Sequence, residues 1–440
     1  MPDSAAQLQA RLQKFPRYTE YDTPVPVYCL TQDRGPVIHR FFDSSPISPS
    51  GRYLAVTRFP FEDRSPQPGD TAEVVLMDLE TQAEIVVATT RGWGSQLGAQ
   101  VQWGATDEEL YFNDLDTKTW QPFGLQYNPS NGQTRRLEGT VYHVSPDGRL
   151  AVSPCLLRTG RTQLGYGVMA PDAAVPRNLH APDDDGVYVT DLVTGKSHLH
   201  ISIRDLVGGI AHLASPRYLN GDFYVFHTKW SPDGERIMII LRWTPAAPKR
   251  RWWQKAARPA PKSSMRKFVM TVSADGSDPR IAISDEAWAK GGHHPNWCPD
   301  SQHVMMNLNR DGEGLRFVRA DIGGQELALL HPTAEGSGHP SLHPSGQWLL
   351  TDAYPGEAAS YGDGTVPVRL INLECGDETL LARMQSRPAY VGDRKEMRVD
   401  AHPAWDVSGN FVVFNGCAGG TRGVYVADVG GVVAQAFTKR

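Results

Sequence analysis

The sequence predicts an all-β chain folded as a seven-bladed β-propeller, and three observations carry that expectation. Glycine and proline, 42 and 33 of the 440 residues, punctuate short β-rich runs. Long helical periodicity is nearly absent. A turn followed by an apolar strand recurs along the whole chain in seven copies, six of them recognisable at once and one degenerate.

Taken in chain order, residues 1–24 read as an N-terminal extension without an apolar stretch after a basic start. No run of about eighteen apolar residues follows anywhere, so an unexported, cytoplasmic protein without stable membrane association is expected. "VPVYCLT" (25–31) precedes the first copy and is placed to complete the last blade, so that residues 25–440 close one ring. The first copy, "ISPSGRYLAVTR" (47–58), continues into "EVVLMDL" (73–79) and "EIVVATT" (84–90): an inner strand, a turn, a second strand and two outer strands make a blade. The degenerate copy, "QWGATDEELYFND" (102–114), keeps the Trp and the following strand. Blade three, "VSPDGRLAVSP" (144–154), carries a long connection over 155–185 before "GVYVTDL" (186–192). Blade four, "WSPDGERIMIIL" (230–241), runs into "TPAAPKRRWWQKAARPAPKSSMRK" (244–267), with eight Lys/Arg, no acid and a Trp pair. That insert reads as a solvated hairpin extension rather than a membrane or nucleic-acid contact. "WCPDSQHVMMNL" (297–308), "LHPSGQWLLTDA" (342–353) and "WDVSGNFVVFNG" (405–416) supply blades five to seven. A lone blade cannot bury both faces, so the ring stands or falls as one unit.

Composition narrows the function classes. A net charge of −5 gives no global reason to expect nucleic acid. The five cysteines (Cys29, Cys155, Cys298, Cys375, Cys417) never form a CxxC pair, which fits a reducing compartment and excludes a disulfide framework and a cysteine zinc knuckle. "GWGSQLG" (92–98) is not G-x-S-x-G, and neither a P-loop nor a Rossmann fingerprint is present.

The histidines carry the strongest chemical signal. Counting seven residues upstream of the turn glycine, or its equivalent, gives His227, His294, His339 and His402 in four consecutive blades. With fourteen histidines in 440 residues, this alignment is not a chance one. That register position begins the innermost strand, on the face opposite the turn, so the imidazoles are expected to converge at the channel mouth. Neutral imidazole is a common ligand for divalent metals, and three or four from separate strands make a preformed site. The alternative is that His-Pro is only a way of entering the strand, with the ring bonded to a backbone carbonyl. Blades one to three offer Ser44, Gln100 and Val141 instead, with Gln100 a polar neighbour of the pocket. His143, two residues further on, falls on the same strand face deeper in the channel. Asp352 and Tyr354 end the second strand of blade six, Arg242 holds the equivalent place in blade four, and Arg398 and Asp400 precede His402; all share the mouth face. His343, four residues after His339, falls in the far-face turn and is expected to be a bystander.

The "SPDG"-type blades, the His-Pro entries and the "GHPS…TDAYP…RVDAHP" run resemble the TolB-like seven-bladed propellers, and within them the oligogalacturonate-lyase group and related propeller polysaccharide lyases. The resemblance implies a cytoplasmic enzyme that degrades short uronides by β-elimination, with a divalent cation, manganese or zinc, held by histidines and a glutamine. By it His294, His339 and His402 are the metal ligands, with His227 a ligand or base. The Gln-x-x-His-x-His cluster of that group is replaced here by "EGSGHPSLH". Elimination requires a base, for which His227, His143, Tyr354 and Arg242 are the candidates. It also requires carboxylate binders, first Arg398 and Arg242, with Asp400, Asp352 and Gln100 completing the pocket. The partner is then a small acidic oligosaccharide. A non-catalytic interaction propeller and a metal-dependent sugar hydrolase or isomerase stand as alternatives.

Overall fold

Seven four-stranded antiparallel sheets follow one another around a ring in the computed structural model, which describes residues 2–246 and 265–435. Blade four shows the plan: Gly221–Trp230 lies innermost, then Arg236–Pro245, Arg266–Ser273 and Arg280–Ile283. Blade seven is built from Ala404–Trp405, Phe411–Gly416 and Gly423–Asp428, and its outer strand is Val27–Cys29, pairing Val27 with Ala427. The ring is therefore closed by the N-terminal strand, as expected. The helix Pro2–Leu12 locks the closure, because Leu8, Leu12 and Phe15 pack against Leu54, Phe411 and Val426 at the seam between blades seven and one.

Strand residues alternate between the cores on their two sides, so each blade fills the space between its neighbours. Val225, Ile237, Ile239 and Leu241 of blade four pack on Val152, Val187 and Val189 of blade three. The inner-to-second-strand turn needs a left-handed residue, which explains Gly51, Gly148, Gly234, Gly346 and Gly409, all between φ +72° and +77°. Ser301 takes the same conformation in blade five at φ +58°. The 155–185 connection carries the helix Leu156–Thr162 and lies between Leu150–Pro154 and Gly186–Asp191. The basic insert leaves from the end of Arg236–Pro245 on that same face; residues 247–264 of it lie outside those described. No helix among the described residues is long and apolar enough to cross a membrane. All five cysteines are free thiols.

Two departures from regular blades shape the channel mouth. The register position that holds the histidines is bent: Gln100, His294 and His402 have φ of +60°, +56° and +47°, and pairing shifts between Val225 and His227 and between His293 and Asn296. Such backbone costs energy and persists where a site requires it. In blade one, Ile38 pairs with Thr57 and Ile47 with Leu54, so residues 39–46 stand opposite only Ala55 and Val56. That excess chain, "HRFFDSSP", is displaced into the channel and plugs it.

Candidate active site

Three of the four aligned histidines meet. The ring centroids of His294 and His339 are 3.8 Å apart, and those of His339 and His402 4.4 Å. His339 donates from Nδ1 to Asp352 Oδ1 at 2.9 Å, and its backbone N–H reaches the same oxygen at 2.7 Å. Gly338 permits this approach, since a Cβ there would lie 2.2 Å from Asp352 Oδ1. His294 donates from Nδ1 to Gly338 O at 2.8 Å. Both rings thus have Nδ1 occupied and present an Nε2 lone pair, the arrangement by which a carboxylate or carbonyl orients a metal-binding imidazole. The two Nε2 atoms face one point, where Tyr354 Oη stands 3.2 Å from His294 and 3.3 Å from His339.

His402 is buried with neither ring nitrogen hydrogen-bonded. An orphaned buried imidazole is costly unless something takes its lone pair. Ligand atoms of His339, His402 and Asp400 all lie within 4.8 Å of one another. Burial and the neighbouring imidazoles hold His294 and His402 well below the ordinary histidine pKa, so both are neutral. A buried set of neutral imidazoles and one carboxylate fits a divalent transition metal such as manganese or zinc.

His227 is set apart by the plug. The Phe41 ring lies between it and the other three, with centroids 5.5 Å from His227 and 4.8 Å from His402, while Phe42 packs on His294 and His339. Tyr142 Oη hydrogen-bonds His227 Nδ1. The phenol is buried, its pKa raised well above 10 by desolvation, and this imidazole is its one acceptor among the described residues. Its proton therefore goes to Nδ1, and the neutral ring keeps its hydrogen on Nε2.

Beside the histidines lies a cavity of about 280 Å³, lined among others by His227, His294, Tyr354, Arg242, Lys267 and Tyr166. No carboxylate among the described residues lines it. Arg242 donates to Thr162 Oγ1 at 3.1 Å and Gln163 Oε1 at 2.8 Å, both neutral, and stacks over Phe226. Burial lowers its pKa to about 9. Lys267 stands directly opposite Arg242 in the strand pairing. Burial and then that guanidinium lower its pKa to about 8. The 155–185 connection roofs this space with Gln163 and Tyr166.

Asp352 is buried behind His339. Arg398 is not free for a ligand: it forms a bidentate pair with Asp400, at 2.9 and 2.7 Å, that holds its pKa above the ordinary value. Gln100 is buried in the wall and accepts from Arg40 Nε at 3.1 Å. His143 is on the other side of the plug, where its Nδ1 accepts from Trp230 N and its ring lines a pocket of about 630 Å³ at the far face. His343 sits in the far-face turn with Nδ1 on Ser345 Oγ at 2.8 Å. Sequence reasoning missed Phe41, Phe42, Tyr142 and Lys267. The double Phe between a strand and its turn was the available signal for the plug; Lys267 was hidden in a basic run.

The structure thus defines a closed seven-bladed propeller with an imidazole cluster and a cationic cavity at one channel mouth. Its fold is shared with an oligogalacturonate lyase solved in complex with manganese, at 15% identity and TM-score 0.60, covering 94% of this chain and 96% of that one. The oligogalacturonate lyase of Vibrio parahaemolyticus is similar to the same degree, at 14% identity and TM-score 0.60 over 94% and 96%. TolB of Acinetobacter baumannii is more remote, at 12% identity and TM-score 0.39 over 86% of this chain and 80% of that one. No family model matches the chain, and no curated protein matches it in sequence.

Proposed function

We propose that this chain is a divalent-metal-dependent lyase that cleaves short uronic-acid-containing oligosaccharides by β-elimination, acting in the cytoplasm with manganese or zinc. One observation carries the reading: His339, His402 and Asp400, buried and with ligand atoms within 4.8 Å of one another, and His294 packed on His339, adjoin a cavity lined by Arg242 and Lys267 and by no carboxylate among the described residues. The manganese held by the structurally similar lyase agrees with it. Bound there, a divalent cation would supply Lewis acidity that stabilises the enolate-like charge formed when a uronate loses its C5 proton. Arg242 would hold the substrate carboxylate through its guanidinium fork. His227 offers Nε2–H as a further donor, and Tyr166 and the Phe41–Phe42 plug exclude water from behind the bound sugar.

The test combines metal analysis and product analysis. Wild-type protein incubated with manganese and a panel of oligouronides is expected to generate the ultraviolet absorbance of a C4=C5 double bond. The His294→Ala/His339→Ala variant is expected to lose both bound metal and product. Equal metal in both proteins, or no unsaturated product from any uronide, overturns the reading. A product heavier by one water identifies a hydrolase instead.

A further inference from the structure

We infer that Lys267 is the Brønsted base of the elimination, with Arg242 across the strand pair binding the carboxylate whose α-proton is removed. This assignment rests on the lyase reading and adds the identity of the base, for which sequence reasoning had offered His227, His143, Tyr354 and Arg242.

Geometry carries it. Arg242 and Lys267 are Cα partners on adjacent strands and both line the cavity. Directly opposed side chains of this kind lie about 5 Å apart at Cβ, and like charges there repel. Among the described residues no carboxylate relieves the repulsion: Arg242 bonds Thr162 and Gln163, both neutral, and the Lys267 ammonium approaches the Trp288 ring at 5.4 Å. An arrangement so costly to the apo protein is understandable where an anion joins one partner and the other works uncharged. The spacing suits a uronate, whose C5–H is one carbon from the carboxylate.

The other candidates fail on the same contacts. His227 has its free lone pair turned to Tyr142 and shows the cavity an N–H. Tyr354 Oη is turned to the metal-site imidazoles, 3.2 Å from His294 Nε2 and 3.3 Å from His339 Nε2. His143 is beyond the plug. Arg242 stays largely charged at neutral pH even when lowered to about 9, whereas Lys267, lowered to about 8, has a neutral fraction at that pH. The charged and titratable groups that share its cavity are Arg242 from its own blade, His227 and Lys229 from the blade's inner strand, His293 and His294 from blade five, Tyr354 from blade six and Tyr166 from the roof.

In the step, neutral Lys267 Nζ takes the C5 proton and becomes ammonium. The C5–H electron pair forms the C4=C5 bond, and the C4–O bond breaks with its pair leaving on oxygen. Solvent water protonates that oxygen, and the resulting hydroxide takes the proton from the ammonium. Atoms and charge balance, and no oxidant or reductant enters.

Three variants test it on full-length, manganese-loaded protein with the best oligouronide. Lys267→Met is expected to lower kcat at least a thousandfold, while metal content and the Kd of a non-cleavable saturated uronide stay within threefold. Arg242→Met is expected to weaken that Kd at least tenfold. The ascending limb of wild-type kcat/KM is expected near pH 8, and Lys267→His is expected to recover part of kcat with the limb moved below pH 7. Full kcat in Lys267→Met, or an unmoved limb in Lys267→His, overturns the assignment and leaves the lyase reading standing. Absence of unsaturated product in wild type overturns the lyase reading, and the assignment falls with it. Amine labelling of apo protein followed by mass spectrometry gives a readout without turnover: Lys267 is expected to half-react near pH 8, and ordinary lysine behaviour overturns the assignment.

Discussion

At the far end of the channel Asp43 pairs with Arg40 at 2.8 Å and with Lys229 at 3.0 Å, all three buried. At the mouth, across the aromatic plug, Arg242 and Lys267 face a cavity lined by no carboxylate among the described residues. Both ends desolvate cations, yet only Arg40 and Lys229, the latter also reaching the mouth cavity, have a carboxylate as counter-charge. Desolvating unpaired charge is expensive, so a compensated network at one end and bare cations at the other agree with the proposed reading, in which an external anion supplies the missing counter-charge.

The largest effect expected from breaking that contrast is at the far end. Asp43→Ala leaves Arg40 and Lys229 buried without a counter-charge and should cost about 3–5 kcal/mol in denaturant unfolding; a loss below about 1 kcal/mol would mean that the triad does not brace the plug. At the mouth the sign reverses. Arg242→Met removes an uncompensated charge while keeping most of the stem, so stability should stay level or rise by about 1 kcal/mol, even as acidic ligands bind more weakly. The smallest effect is a slope in pH. The folded-state pKa of Lys267, about 8, lies below the ordinary 10.5. Across that window the unfolded chain holds a proton that the folded chain has released, so stability rises with pH and the burial penalty is full only below pH 8. The unfolding free energy of wild type should therefore rise more between pH 8 and pH 10 than that of Lys267→Met.

The architecture was legible because each blade repeats one local device, a left-handed turn residue between apolar strands, and repetition averages out the ambiguity of any single strand. The same register located His294, His339 and His402. It failed where the register itself is broken. Counting back from Gly51 gave Ser44, but the segment 39–46 that contains it is displaced into the channel, and Phe41, Phe42 and Asp43 became visible only once the pairing of Ile38 and Ile47 was known. His227 kept the alignment and lost the company, because the plug's Phe41 ring divides the mouth. Lys267 was concealed by the insert: with residues 247–264 between the strands, chain counting cannot place it opposite Arg242.

The closure by Val27–Cys29 fixes when this molecule can finish folding. Its partners, Tyr425 to Ala427, follow it by about 400 residues and are synthesised after the intervening blades. Until then every earlier blade waits in an open ring, with the blade-one edge and the apolar underside of the Pro2–Leu12 helix uncovered. The loop-closure entropy of that pairing is paid once, late and for all seven blades together. The waiting chain exposes strand edges of the kind that recruit other chains. The stretch most exposed to aggregation is thus set by the order of synthesis, and the few residues of the N-terminal strand govern how long the exposure lasts.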